Sequence, residues 1–324
     1  MTDASFKKVG APALRAALSL PSRPTAPPLR IAVPVAGKPA HLRQMVDRRL
    51  CALVPHGAKA HRLNAAMRYA LLAPGKRFRP LLVLFSSVQC GARDLGALDA
   101  ACAVEMVHAA SLILDDLPCM DDAELRRGQP TVHRRFGEDI AILAAVGLLN
   151  RAFGVLARIP CIDPEARARL VAELSDGIGP DGLLGGQEAD LHDRELIVRP
   201  AEIGRLYHAK TGILLEKAVE IGALIAGACD DDLGALRQFA LHLGLAFQTL
   251  DDLMDMVENA AVSGKDAGKD AGKRTIVDLA GAEGARTQVV RWIDEACLCL
   301  DRVKRGPEPL GSFVRSSFAM AAPC

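Results

Sequence analysis

Eight segments of this chain repeat apolar residues at helical spacing, and almost nothing in it alternates with the period of a strand. The segments run 60–73, 79–90, 96–116, 138–157, 164–178, 201–227, 232–258 and 285–303. Gly and Pro mark their ends, as in Ala73-Pro74-Gly75 and Gly177 to Gly182. Such a pattern predicts an all-α fold, a large helical bundle around a shared apolar interior. No repeat of constant period and no shift of composition divides residues 41–324, so one helical domain is expected there. Residues 1–40 read differently. They are Ala/Pro-rich, with Pro12, Pro21, Pro24, Pro27, Pro28, Pro34 and Pro39, the composition of a flexible extension. Lys7, Lys8 and Arg15 are weakly presequence-like, but no signal-peptide hydrophobic core accompanies them.

The 40 basic and 39 acidic residues nearly cancel, so bulk charge does not point to nucleic acid. No apolar run reaches the ~20 residues needed to cross a bilayer, and a soluble, cytoplasmic protein with no membrane span is expected. The nine cysteines (Cys51, Cys90, Cys102, Cys119, Cys161, Cys229, Cys297, Cys299 and Cys324) are odd in number and mostly isolated in apolar text. They are expected to be small reduced residues rather than a disulfide framework. Cys297 and Cys299 lack a second pair to complete a zinc pattern.

Two acidic clusters carry the chemistry: DDLPCMDD, Asp115 to Asp122, and DDLMD, Asp251 to Asp255. Pro118 disfavours helical geometry at Leu117, which puts Asp115 and Asp116 in the last turn of the 96–116 helix. The helix dipole opposes anions there. Four aspartates in eight residues also repel one another, by about 1 kcal/mol for a close pair even in water. Asp251 and Asp255 are four apart, on one helix face. Either cluster alone reads as a solvated acidic stretch. Two on two apolar helices suggest hard divalent cations, with phosphate oxygens completing an octahedral magnesium shell. Basic residues lie close by: Lys76 and Arg79 in GKRFRP, Arg126 and Arg127 in LRRGQPTVH, Lys210-Thr211 in apolar helical text, and Lys265, Lys269 and Lys273 in GKDAGKDAGKRT. The last is not a Walker loop, because Arg274 follows Gly272-Lys273. His108, seven residues before Asp115, shares roughly its face; alone it would read as a core histidine. The combination points to diphosphate chemistry.

At this point the chain resembles the trans-isoprenyl diphosphate synthases, and most closely the bacterial geranylgeranyl diphosphate synthases that feed carotenoid pathways. The resemblance covers about residues 60–290. It rests on GKRFRP, VHAASLILDDLPCMDDAELRRGQPTVH, GEDIAILAAVGLLN, GGQEADL, KTG, FQTLDDLMD and GKDAGKDAGKRT in the family's order. It implies the isoprenoid synthase fold, a deep apolar cavity, a homodimer, and three magnesium ions bridging an allylic diphosphate to the aspartates. By motif, Asp115, Asp121 and Asp251 are the expected direct ligands, with Asp116, Asp252 and Asp255 supporting them. Arg126, Lys210 and Lys265 are expected on the allylic diphosphate. Lys76, Arg79, His108 and Arg127 are expected on isopentenyl diphosphate, with Thr211 and Gln248 facing the allylic carbocation. The reaction implied is ionisation, condensation and elimination, with the departed diphosphate as base.

Product length is expected to depend on the cavity floor. Ala110, five residues before Asp115, is small where bacterial farnesyl synthases carry an aromatic residue, and Val107 and Val104 are modest. The twenty-carbon product is therefore expected, with fifteen- and twenty-five-carbon products as alternatives. A class I terpene cyclase would leave Lys76, Arg79, His108 and Arg127 without a purpose. A catalytically silent partner subunit should have lost acidic motifs. A metal-binding structural protein would not explain the ordered basic sites. Leu114 stands where a His often precedes the first Asp pair, and SFAMAAPC is not recognisable as the basic tail of some farnesyl synthases.

Overall fold

The computed structural model describes residues 38–54, 61–92, 96–160, 162–193, 197, 199–262, 274–303 and 308–319. The elements are helices except for one hairpin. In order they are α1 (Pro39–Leu53), α2 (His61–Leu71), α3 (Phe78–Gln89), α4 (Leu98–Asp115), β1 (Leu125–Arg126), β2 (Gln129–Pro130), α5 (Val132–Phe136), α6 (Glu138–Leu156), α7 (Pro164–Ile178), α8 (Leu183–His192), α9 (Pro200–Tyr207), a π-helical segment (His208–Gly212), α10 (Ile213–Ile225), α11 (Asp230–Val262), α12 (Ile276–Cys299) and α13 (Pro309–Ser317). The extension expected at 1–40 lies outside the described residues except for its last three, two of which open α1 with Pro39 in the first turn, where proline is tolerated.

Three helices form the centre, and their sequences explain why. Every residue of α3 from Pro80 to Gln89 is buried, as are nine of the thirteen in α10 and most of α4. Helices apolar on all sides belong inside a large protein. α6 packs on α4, α7 and α11 pack on α10, α12 lies along α11, and α13 covers α3. Small residues in α4 (Ala100, Ala101, Ala103, Ala109, Ala110) let these neighbours approach closely. Phe78 and Phe85 of α3 meet Phe313 of α13, and Phe78 also meets Phe247 of α11 and Phe318 just past α13. The C-terminal segment that has no recognisable basic tail thus closes its end of the bundle with aromatic rings.

Three elements differ from expectation in ways that matter for the site. The apolar stretch 201–227 is not one helix but two, joined by the π segment, and such widened turns recur at functional sites. α11 runs 33 residues, so Asp251 to Asp255 sit inside it rather than at its end. α6 is 19 residues long with mean hydropathy 1.7, enough by length and composition to cross a membrane, which the sequence reading did not anticipate. Its Ala141, Ala144, Ala145, Leu148 and Ala152 are packed into the bundle, while Ile142, Leu143 and Val146 are exposed.

Candidate active site

α4 stops at Asp115, with Asp116 as its cap residue and Leu117 held before Pro118 as expected. The acidic segment then folds back on itself: Asp121 N–H donates to Asp115 O (2.9 Å), Asp122 N–H to Leu117 O (3.1 Å) and Ala123 N–H to Asp116 O (3.2 Å). These bonds sort the four carboxylates. Asp116 is turned inward and only 2% exposed, where Arg126 Nε grips both its oxygens at 2.8 and 2.9 Å. Asp115 faces the interior cavity. Burial, with Asp121 and Asp116 opposing Lys210 and Arg126, raises its carboxyl to about 6. Arg126 is held charged by the same Asp116 contact despite its burial.

Arg126 reaches Asp116 because Leu125–Arg126 pairs antiparallel with Gln129–Pro130. The two residues of the turn, Arg127 and Gly128, have φ of +54° and +74°, the requirement of a type I′ hairpin. A non-glycine residue pays for that conformation. Arg127 is kept there by donating to Pro74 O (2.9 Å) and lying over Gly75, where a Cβ would come within 2.8 Å of its Nη1. Thr131 anchors the hairpin, its hydroxyl donating to Ala123 O at 2.8 Å.

Arg127 closes a cationic corner with Arg79 and His108. Arg79 Nη1 stands 3.5 Å from His108 Nε2, and Arg79 Nε is buried with no hydrogen-bond partner among the described residues. Burial lowers Arg79 to about 10 and, together with Arg79, pushes His108 well below the usual histidine range, so the imidazole is neutral at neutral pH. Two clustered guanidiniums and an orphan donor are the arrangement an anion would satisfy. Arg77, between Lys76 and Phe78, serves the frame instead. Its backbone is left-handed (φ +49°), and its guanidinium is buried against Glu105 and Asp47, both at 2.7 Å.

The second cluster is presented by α11 across the cavity from the first. The π segment passes close to α11, since a Cβ on Gly244 would lie 2.8 Å from Gly212 Cα. It is equally close to α8, where a Cβ on Gly186 would lie 2.5 Å from Lys210 N, which is the physical reason for glycine in GGQEADL. One turn further, Asp190 of that motif pairs with Lys210. Thr211 donates to Gln248 Oε1 (2.8 Å), Gln248 Nε2 donates to Asp252 Oδ1 (3.0 Å), and Tyr207 donates to Asp252 Oδ2.

These residues line one cavity of about 850 Å³, within the range of ligand sites. Its polar wall carries Arg79, His108, Asp115, Asp121, Arg126, Arg127, Lys210, Thr211, Gln248, Asp251, Asp252 and Asp255, all expected from the sequence. Its apolar wall includes Val107, Leu112, Leu114, Leu149, Ile178 and Phe247. Three expected residues stand elsewhere. Lys76 is exposed and off the wall, Asp116 lies beneath it, and Ala110 is fully buried in the core, with Ser111 and Val107 forming the α4 wall in its place. Lys265 and Lys269 lie outside the described residues. The sequence reading missed Tyr207, Gln187 and Asp190; the quoted GGQEADL was the available signal for the last two.

Among the described residues no three carboxylate, imidazole or thiol groups gather closely enough to hold a metal ion unaided. The donors that face the cavity are carboxylates, and Asp115 holds an acid whose charge its surroundings disfavour. That fits a hard cation held jointly with a substrate's phosphate oxygens, the habit of magnesium.

Fold and site together place two carboxylate clusters, a corner of arginines and an apolar wall on one cavity of an all-helical protein, the arrangement of an enzyme for phosphorylated apolar substrates. Residues 60–296 match the family described as Polyprenyl synthetase, and the chain belongs to that family. Among its relatives, the geranylgeranyl diphosphate synthase of Pseudescherichia vulneris is 47% identical over 262 residues, 79% of this chain and 83% of that protein. The geranylgeranyl diphosphate synthase of Pantoea ananas is 48% identical over 238 residues, 73% and 78% of the two chains. The apo crystal structure of a FPP/GFPP synthase from Zymomonas mobilis superposes with a TM-score of 0.77 at 34% identity, over 90% of this chain and all of that one.

Proposed function

We propose that the protein is a geranylgeranyl diphosphate synthase, a prenyltransferase that joins isopentenyl diphosphate to an allylic diphosphate, farnesyl diphosphate or shorter, and releases diphosphate. One observation carries the reading. Two regions suited to diphosphate, the carboxylate clusters with Lys210 (through bound cations) and the corner of Arg79, His108 and Arg127, open into a single cavity that also has an apolar wall. Both acidic clusters are intact, which favours an active enzyme over a silent partner subunit.

Asp115, Asp121, Asp251 and Asp255 would hold magnesium, three ions in this reading, whose chemistry is to offset charge on the allylic diphosphate as it leaves. Lys210 and Arg126 add positive charge on the same side. The allylic carbon–oxygen bond breaks with its electron pair going to the diphosphate. The oxygens of Thr211 and Gln248 face the carbocation left behind. Leu112, Leu114, Leu149 and Phe247 keep water from it. Arg79, His108 and Arg127 fix isopentenyl diphosphate so that its double bond attacks from a set distance. The new carbon–carbon bond consumes the alkene pair, and the departed diphosphate takes the proton whose loss restores a double bond.

The exposed Ile142, Leu143 and Val146 of α6 support a homodimer through that face, and the resemblance to carotenoid-supplying enzymes supports that pathway. The test is incubation of the purified protein with labelled isopentenyl diphosphate and farnesyl diphosphate, with and without magnesium, followed by dephosphorylation and sizing. Magnesium-dependent geranylgeraniol is expected. A different prenol would keep the reaction and move the floor, and no prenol from any primer would sink the reading.

A further inference from the structure

Tyr207 has no part in the reaction just described, yet its hydroxyl is tightly held beside it. It ends α9, is 3% exposed, and packs with Ile203 and Ile276. A buried tyrosine hydroxyl must find partners, and Ile276 and Asp252 are two of this one's. Ile276 N–H, at the start of α12, can only donate, so the hydroxyl accepts from it at 3.2 Å. Its single proton therefore goes to Asp252 Oδ2.

The consequence runs through Asp252. As a carboxylate it can only accept, so the end of Gln248 that meets Oδ1 at 3.0 Å must be the amide nitrogen. Gln248 Oε1 is then left to accept the Thr211 hydroxyl at 2.8 Å. With its proton spent on Gln248, Thr211 offers the cavity only lone pairs. The chain Tyr207, Asp252, Gln248, Thr211 thus turns two oxygens toward the space where positive charge develops. A reversed amide would turn N–H groups there instead. Tyr207 and Thr211, four apart across the π segment, meet Asp252 and Gln248, also four apart on α11.

We infer that Tyr207 is a positioning residue: by holding Asp252 as the acceptor for Gln248, it fixes the orientation of the Gln248–Thr211 pair, and Asp252 is an orienting group rather than a magnesium ligand. This rests on the prenyl-transfer reading above, and wild-type turnover separates the two. An inactive wild type would sink both.

The experiment is a double-mutant cycle on the full chain with Tyr207→Phe and Gln248→Ala. Tyr207→Phe is expected to lower kcat about tenfold, with KM for isopentenyl diphosphate changed less than about twofold, because that site lies at Arg79 and His108. In the Gln248→Ala background the same change should cost less than about twofold, since nothing remains to orient. An equal loss in both backgrounds would show a general packing role and overturn the inference. The half-saturating magnesium concentration of Asp252→Asn gives an independent reading. It should stay within about twofold of wild type, and a rise of about tenfold would make Asp252 a ligand and overturn the inference. If Tyr207→Phe fails to fold by circular dichroism, Asp252→Asn paired with Gln248→Ala supplies the same cycle, and additive losses there count against the inference equally.

Discussion

In the first acidic cluster the second aspartate, Asp116, is buried under a guanidinium; in the second cluster the matching Asp252 is held by Tyr207 and by the amide of Gln248. In each the first aspartate, Asp115 or Asp251, faces the cavity. In both motifs the second acid is held by neighbouring side chains, but Asp252 still lines the cavity whereas Asp116 lies beneath it. They differ also in what does the holding. The first cluster runs from a helix end into a loop, kept in shape by Arg126 on Asp116, a few backbone bonds and side-chain contacts from Thr131 and Arg134. The second lies inside a helix whose backbone is already fixed, so its anchor has only side chains to orient. Breaking the first anchor should therefore cost stability, and breaking the second should cost turnover.

The largest effect should come from the cavity-facing member of the loop. Asp115→Asn is expected to lower kcat by about a thousandfold or more, by removing a charge opposite the leaving group. The same change should stabilise the metal-free protein. Because Asp115 is raised to about 6 when folded, its charge costs the fold nothing below the ordinary carboxylate range and the full penalty above about 6. At pH 7.5 the variant should gain on the order of 1–2 kcal/mol, seen as a Tm higher by a few degrees, and at pH 3 it should gain nothing. Equal Tm at both values would mean that the loop already compensates Asp115.

Arg126→Ala comes next and bears on the comparison directly. It leaves Asp116 charged and buried with its main partner gone. A loss of about 2 kcal/mol in stability is expected, below the ~3–5 kcal/mol of a fully buried pair because Arg126 is itself partly open to water. Adding Asp116→Asn should restore much of that stability but not the turnover. Should Arg126→Ala leave Tm unchanged, Arg126 acts on substrate alone and the two clusters are not built differently.

That division could not be read from the chain. The acids and bases were legible because their chemistry is their identity, and α4, α7 and α11 were legible because apolar spacing declares a helix. Which aspartate is anchored depends on a partner ten residues away for Asp116 and forty-five away for Asp252. No local pattern carries that. The π segment was invisible for a related reason: YHAKTGI, Tyr207 to Ile213, is flanked by apolar text that reads as one continuous helix, and only the close passes of Gly186 and Gly244 reveal the widened turn. α1 was missed because its buried stripe is just Leu42, Val46, Leu50 and Leu53 among charged residues. The hairpin was missed because its strands are two residues each, too short to alternate. Of the two expected floor residues, Val107 lines the cavity and Ala110 lies in the core, because counting back from Asp115 gives depth and not direction.

Below the two clusters the walls also differ. α11 puts Phe247 one turn beneath Asp251, whereas α4 puts Ser111, His108 and Val107 beneath Asp115. The growing chain is therefore expected to extend along α4. Val107→Phe is expected to shift the main product from twenty to fifteen carbons with turnover reduced less than about tenfold, read by sizing the dephosphorylated prenols. Ala110→Tyr, entering a fully buried position, should instead cost about 1–3 kcal/mol of stability by overpacking. A clean fifteen-carbon product from a stable Ala110→Tyr enzyme would return the floor to Ala110.

The smallest effect concerns the hairpin that carries the first anchor. Arg127 pays for a left-handed backbone that glycine would adopt freely. Arg127→Gly should therefore leave the hairpin and the Asp116–Arg126 pair in place, with Tm unchanged or higher by the equivalent of ~0.5–1 kcal/mol. It should raise KM for isopentenyl diphosphate by about tenfold while KM for the allylic substrate stays within about twofold, because the charge removed belongs to the Arg79–His108 corner. If both KM values rise together and Tm falls, Arg127 is holding the loop through Pro74 rather than serving the second substrate. The first cluster would then depend on two arginines where the second depends on none.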